Sequence, residues 1–123
     1  MNAQLLPPRI EGIRTPRDAD ERTLRACYSE ADAVKASIAL SGLTYREIAA
    51  RMGCSKTLVG GFAAGTHTLT RKRTRAFCNA TGTRLIEQYR DREAAIRAAE
   101  NRVRESDRIQ SMIQPTLDKW RAS

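Results

Sequence analysis

Residues 45–65 read YREIAARMGCSKTLVGGFAAG, and this stretch decides the fold. Two short helical patterns are joined by a tight turn. Thr44 is placed to cap the first, with Glu47 three residues on as its capping-box partner. Ile48, Ala49 and Met52 form its apolar face, and Gly53 stops it. Ser55 caps the second pattern, Leu58, Val59 and Phe62 form its apolar side, and Gly65 ends it. Each position has a physical demand. Ala49 stands where the two helices cross, and a larger side chain would push them apart. Gly53 stands at the turn, where left-handed backbone is cheap only for glycine. Ile48, Met52, Cys54, Val59 and Phe62 fall where burial locks the pair. That leaves Ser55, Lys56, Thr57, Gly60 and Gly61 on the outer face of the second helix.

Upstream, Ser29-Glu30-Ala31-Asp32 resembles a capping box with aspartate in place of glutamate. Val34, Ile38 and Leu40 or Ala39 follow at helical spacing, up to Ser41-Gly42. Thr15-Pro16 reads as a further start, opening a short helix from about 16 to 27 with a thin apolar face of Ala19, Leu24 and Cys27. Residues 1–14, with Pro7, Pro8 and Gly12, read as a flexible arm. Downstream, a helix starts at Thr68 or Thr70, buries Leu69, Ala76, Phe77 and Ala80, and ends at Gly82. From Thr83 to Ile113 there is neither Gly nor Pro, so the spacing predicts one helix of about 30 residues, broken at Pro115. Leu85, Tyr89, Ile96, Ala99, Val103 and Ile113 mark one side, with an interval of seven from 89 to 96 to 103. Glu93 with Arg97 and Glu100 with Arg104 stand in the favourable i,i+4 order. Nothing alternates with a period of two. The expected fold is all-α, divided as an arm and short helix (1–28), a central domain (29–82), and a long C-terminal helix with a short tail (83–123).

The bulk numbers narrow the partners. The chain has 123 residues and a net charge of +8. The segment nets are +1 for 1–28, +5 for 29–82 and +2 for 83–123. The excess therefore sits with the two-helix motif, and a basic surplus there favours a polyanion. No apolar run approaches the ~18 residues of a membrane span, and no signal peptide is visible. The three cysteines, Cys27, Cys54 and Cys78, are isolated and odd in number, so a reducing, cytoplasmic setting is expected.

Two helices joined in this way form a helix-turn-helix, whose second helix enters the major groove with its N-terminal residues nearest the base edges. The small residue at Ala49, the glycine at Gly53 and the apolar set at 48, 52, 54, 59 and 62 resemble the lambda-repressor-like (Cro and XRE-type) family found in phages and bacteria. The resemblance covers residues 29–82 and implies five helices, counting the start of the C-terminal one. It implies a transcriptional repressor or activator that binds near-palindromic sites as a dimer. It also implies that Lys56, Thr57 and Gly60 face bases and that Tyr45 approaches a phosphate. Gly60-Gly61 departs from the family pattern, which has larger polar residues there.

Several features carry two readings. Gly60-Gly61 marks a short or irregular helix, or lets the backbone approach the groove closely. Arg71, Lys72, Arg73 and Arg75 are a solvated charge run, or phosphate contacts. Cations in a first helical turn oppose the macrodipole, which favours the second reading. His67 is an exposed loop histidine, or a phosphate-facing donor. Arg46 joins Tyr45 as a backbone-facing candidate. Cys54 and Cys78 are small buried hydrophobes. Leu85, Tyr89, Ile96 and Val103 pack back on the domain, or pair two chains; they offer more apolar surface than a small domain covers, which favours pairing. Trp120 is a docking residue, or part of a frayed tail.

The expected function is sequence-specific binding of double-stranded DNA by a phage-repressor-like transcriptional regulator acting as a homodimer or higher homo-oligomer. Paired copies would present two recognition helices to successive major grooves about 34 Å apart. The alternative is the DNA-recognition subunit of a phage packaging or transposition assembly. No cofactor, metal, membrane or small-molecule ligand is implied. An enzyme is disfavoured, because the chain offers no nucleophile–base pair, acidic metal cluster or phosphate-binding loop.

Overall fold

Five side chains open five helices. Asp20, Ser29, Thr44, Ser55 and Thr70 each accept a hydrogen bond from the backbone N–H three residues on. In the computed structural model, which describes residues 15–122, the helices they open are α1 (Glu21–Arg25), α2 (Glu30–Ser41), α3 (Tyr45–Met52), α4 (Lys56–Ala64) and α5 (Arg71–Thr81). A sixth, α6, runs from Leu85 to Ala122. The protein is all-helical among the described residues. The arm expected at 1–14 lies outside them. Thr44 and Glu47 form a reciprocal capping box. At α2 the return bond reaches further than expected: Asp32 Oδ2 accepts from the Tyr28 N–H at 2.9 Å.

Of the described residues, 15–90 form one compact unit and 91–122 a second. In the first, α3 packs on α4 and α5, and α2 on α4 and α5. Phe77, Ile48, Leu85, Ile86, Val34 and Val59 are fully buried at the centre, each stabilising the fold by about 1.5–3 kcal/mol. The sequence reading placed the boundary at 82/83. It falls later because Leu85, Ile86 and Tyr89 belong to this core. Leu85 and Tyr89 are therefore not pairing residues. Ala39 and Leu40 are exposed; the buried face of α2 is Ala33, Val34, Ser37 and Ile38. The hydroxyl of Ser37 is satisfied inside the core by the Ala33 carbonyl at 2.7 Å.

No helix starts at Thr15-Pro16. The backbone there is taken by other partners: the Arg17 N–H donates to Gly82 O at 3.0 Å and Arg84 N–H to Arg17 O at 2.8 Å. The Gln88 amide brackets Ala19 on both sides, accepting from its N–H at 2.8 Å and donating to its carbonyl at 3.2 Å. Segment 15–19 thus lies along the α5–α6 junction, and Asp20 opens a short α1. Hydrogen bonds from Thr23 hold the Asp20 carboxyl below its ordinary range.

Pro115 does not break α6, which has 38 residues and carries the proline inside. Proline removes one ladder bond and crowds the preceding turn. Side chains bridge the position: Gln110 Nε2 donates to Gln114 Oε1 at 2.9 Å, and Gln114 Nε2 to Asp118 Oδ1 at 2.8 Å. Arg108 pairs with Glu105 at 2.6 Å, and Arg104 turns to Asn101 rather than to Glu100.

Candidate nucleic-acid interface

The turn between α3 and α4 is built by backbone alone. The Gly53 N–H donates to the carbonyls of Ala49 and Ala50, and the Cys54 N–H donates to Ala49 O at 3.0 Å. Gly53 has φ +73°, and an added Cβ would meet nothing within 4 Å. Glycine is needed there for its conformation, not for space. Ala49 is buried, as the crossing demands, while Met52 and Cys54 are half-buried against the core.

The second helix exposes less than its sequence offered. Lys56, Thr57 and Ala64 are exposed and Gly60 half-exposed, and at 100° per residue these four lie on one face. Ala64 was not singled out by the sequence. Ser55 is exposed, but its Oγ is engaged by the Leu58 N–H at 3.1 Å, so only its hydroxyl proton remains to give. Gly61 is not base-facing. It is buried, and an added Cβ would stand 2.2 Å from His67 Nδ1 and 2.9 Å from His67 Cγ. Its missing side chain makes room for the loop after α4. That loop folds back on Gly61, whose carbonyl accepts from Thr66 N–H at 3.0 Å, His67 N–H at 3.2 Å and the Thr66 hydroxyl at 3.3 Å. At Gly60 an added Cβ would meet the Tyr45 ring at 3.9 and 4.0 Å. Tyr45 and His67 are thereby both brought against α4.

The charges around this helix are one-sided. From Tyr45 to Arg75 there are seven Lys and Arg and one acidic residue, Glu47. The Glu47 carboxylate is held by the Thr44 N–H at 2.9 Å in the capping box. Arg46, Lys56, Arg71, Lys72, Arg73 and Arg75 are exposed and make no ion pair among the described residues. Arg71, Lys72 and Arg73 occupy the first turn of α5, where the helix dipole and the exposed N–H groups favour an anion. Cation side chains and helix end therefore present the same positive polarity at this point.

Two arginines escaped the sequence reading. Arg90 grips Glu30 with two bonds of 2.9 and 3.0 Å, Thr74 Oγ1 at 2.7 Å and the Leu69 carbonyl at 3.0 Å. It fixes the α4–α5 loop and the first turn of α5 to α2. Its partner Glu30 is 60 residues away, so no local pattern announces it. Arg51, in the last turn of α3, has a buried Nη1 without a hydrogen-bond partner.

Among the described residues no three His, Cys, Asp or Glu side chains lie close enough to hold a metal, and no helix is long and apolar enough to cross a membrane. Burial, aided by Glu87, pushes the Cys78 thiol up to about 11, which leaves it a poor nucleophile at neutral pH. No family model matches the chain, and neither a curated protein nor a solved structure matches it.

Proposed function

We propose that the chain is a sequence-specific double-stranded DNA-binding transcriptional regulator of the phage-repressor kind, acting as a dimer. One observation carries this reading. The exposed N-terminal half of α4 belongs to a stretch, 45–75, with six exposed cations that have no carboxylate partner among the described residues, and its single acidic residue is engaged in a helix cap.

In this reading α4 enters the major groove. Lys56 and Thr57 reach base edges, the Ser55 hydroxyl donates, and half-exposed Gly60 leaves room between them. Tyr45, Arg46, His67, Arg71, Lys72, Arg73 and Arg75 take phosphate oxygens. Each phosphate neutralised releases counterions, so affinity falls steeply with salt.

Selection of bound DNA from a random pool tests it. Strong enrichment of a two-fold symmetric site is the expected result. Salt-sensitive binding without enrichment would overturn sequence specificity and leave an architectural role. Absence of binding would overturn the reading altogether. Solution mass separates the regulator from a packaging or transposition subunit, since a ring of about eight or more copies belongs to the latter.

A further inference from the structure

The stretch from Asp91 to Ala122 is helical throughout and carries thirteen charged residues. None of them stands at position 96, 99, 103, 106, 110, 113, 117 or 120. These eight positions follow the alternating three- and four-residue steps of a coiled-coil seam. Ile96, Val103, Gln110 and Leu117 occupy one set, and Ala99, Ser106, Ile113 and Trp120 the other. Large side chains among them stand in water: Ile96 is 43% exposed, Val103 60% and Trp120 68%, while Leu117 is half-buried. All thirteen charges of this stretch lie off that stripe, as they do where such a stripe is covered by another helix.

We infer that this face is covered by a second copy of the same helix, parallel and in register. Three observations select that occupant. Ile96 and Val103 put β-branched side chains at two of the four a-type positions, the residue type that parallel two-stranded coils favour there. Gln110 is the one polar residue at an a-type position, and in register it meets its own copy, where two amides satisfy each other. The charges flanking the seam also agree. In a parallel pair Arg102 faces Asp107 of the second copy, five residues on, and does so on both sides. The remaining flanking pairs, Ala95 with Glu100, Ile109 with Gln114 and Thr116 with Arg121, contain no like-charge contact. Reversing one copy over the same seam joins Glu93 to Arg121 but sets Asp107 against its own copy. It also separates the two Gln110 amides. Parallel pairing joins the chains with both Asp91 ends together, and each helix-turn-helix precedes that end in sequence.

The inference deepens the dimer of the reading above. It is tested without DNA, so its failure leaves DNA binding standing. Val103→Cys in the full chain is oxidised in air and run on a non-reducing gel, beside the native chain and Arg97→Cys, an outward position. The native chain controls for Cys27, Cys54 and Cys78. The expected result is a band of twice the chain mass for Val103→Cys, well above both controls. A band no stronger than the controls overturns parallel pairing. Cross-linking that appears only when Val103→Cys is mixed with Ile113→Cys shows the reversed arrangement and overturns it too. Sedimentation of the full chain is expected to give two copies, and Val103→Glu one copy with an unchanged melting curve for the 15–90 unit. A native mass of one copy, or of three or more, refutes the two-stranded pair.

Discussion

Substituting the adjacent glycines of α4 one at a time separates two roles that look identical in sequence. In a helix interior Gly→Ala gains about 1 kcal/mol from propensity. At Gly60 the new methyl meets Tyr45 ring carbons at 3.9 and 4.0 Å, which is ordinary contact. The gain stands, and Gly60→Ala is expected to raise the melting temperature by about 4–8 °C for a unit of this size. At Gly61 the methyl falls 2.2 Å from His67 Nδ1. The ring must leave, along with its 3.2 Å contact to Thr66 Oγ1. Overpacking of this kind costs about 1–3 kcal/mol, so Gly61→Ala is expected to be neutral to destabilising by about 2 kcal/mol after the propensity gain. The interaction is isolated by a double-mutant cycle. His67→Ala removes the ring, and in that background Gly61→Ala should recover its gain, giving a coupling of about 1–3 kcal/mol. Thermal and urea unfolding of the full chain, followed by circular dichroism, reads all four proteins. Equal stabilisation by the two single Ala variants, or no coupling to His67, would refute the packing of the loop on Gly61. Tyr45 would cover a Gly60→Ala methyl, so DNA affinity should change by less than about 0.5 kcal/mol. A large loss there would mean that the backbone at Gly60 touches the groove.

Three further outcomes are expected. Arg71→Ala should weaken binding to every DNA sequence alike and reduce the salt slope by about 1, whereas Lys56→Ala should cost about 1–3 kcal/mol on the preferred site and relax its selectivity; a gel-shift series in salt distinguishes them. Arg90→Met should cost about 2–3 kcal/mol in urea unfolding, and Arg90→Lys should recover less than half, because lysine lacks the fork that holds Glu30. Because burial raises the Cys78 thiol from 9.0 to about 11, its contribution is fully present below pH 9. That contribution is lost as pH rises from 9 toward 11, when the unfolded thiol ionises and the folded one resists. The loss reaches about 2–3 kcal/mol, and Cys78→Ala should flatten that part of the curve.

The turn at 53–55 was legible because its signals are local. Thr44 and Glu47, Gly53, and Ser55 each act within four residues of themselves, so order in the chain is order in space. The same holds for the caps at Ser29 and Thr70. What was not legible depends on segments that return from far away. Thr15-Pro16 carries a sound helix signal, yet Gly82, Arg84 and Gln88 claim its backbone first. Gly61 reads as an outward glycine until the Thr66–His67 loop folds over it. Pro115 reads as a stop, but α6 passes through it.

The seven-residue interval at 89, 96 and 103 shows where periodicity itself runs out. A period states that one side of a helix is covered; it does not state by what. Tyr89 is 8% exposed in the domain core, whereas Ile96, one interval later, is 43% exposed. Arg90 stands between them, its guanidinium fixed to Glu30, Thr74 and Leu69. The domain ends where that clamp ends. Beyond it the same period continues with Ile96, Val103 and Trp120 exposed, and charge is kept off every seam position from Ile96 to Trp120. That restraint matters for DNA recognition, because α4 offers few side chains to specify bases. In the reading proposed above, Lys56 and Thr57 alone would distinguish few base pairs, while the unpaired cations would bind any duplex. Specificity in the proposed regulator must therefore come from requiring two half-sites at a fixed spacing, and the stretch after Arg90 is the element able to impose it.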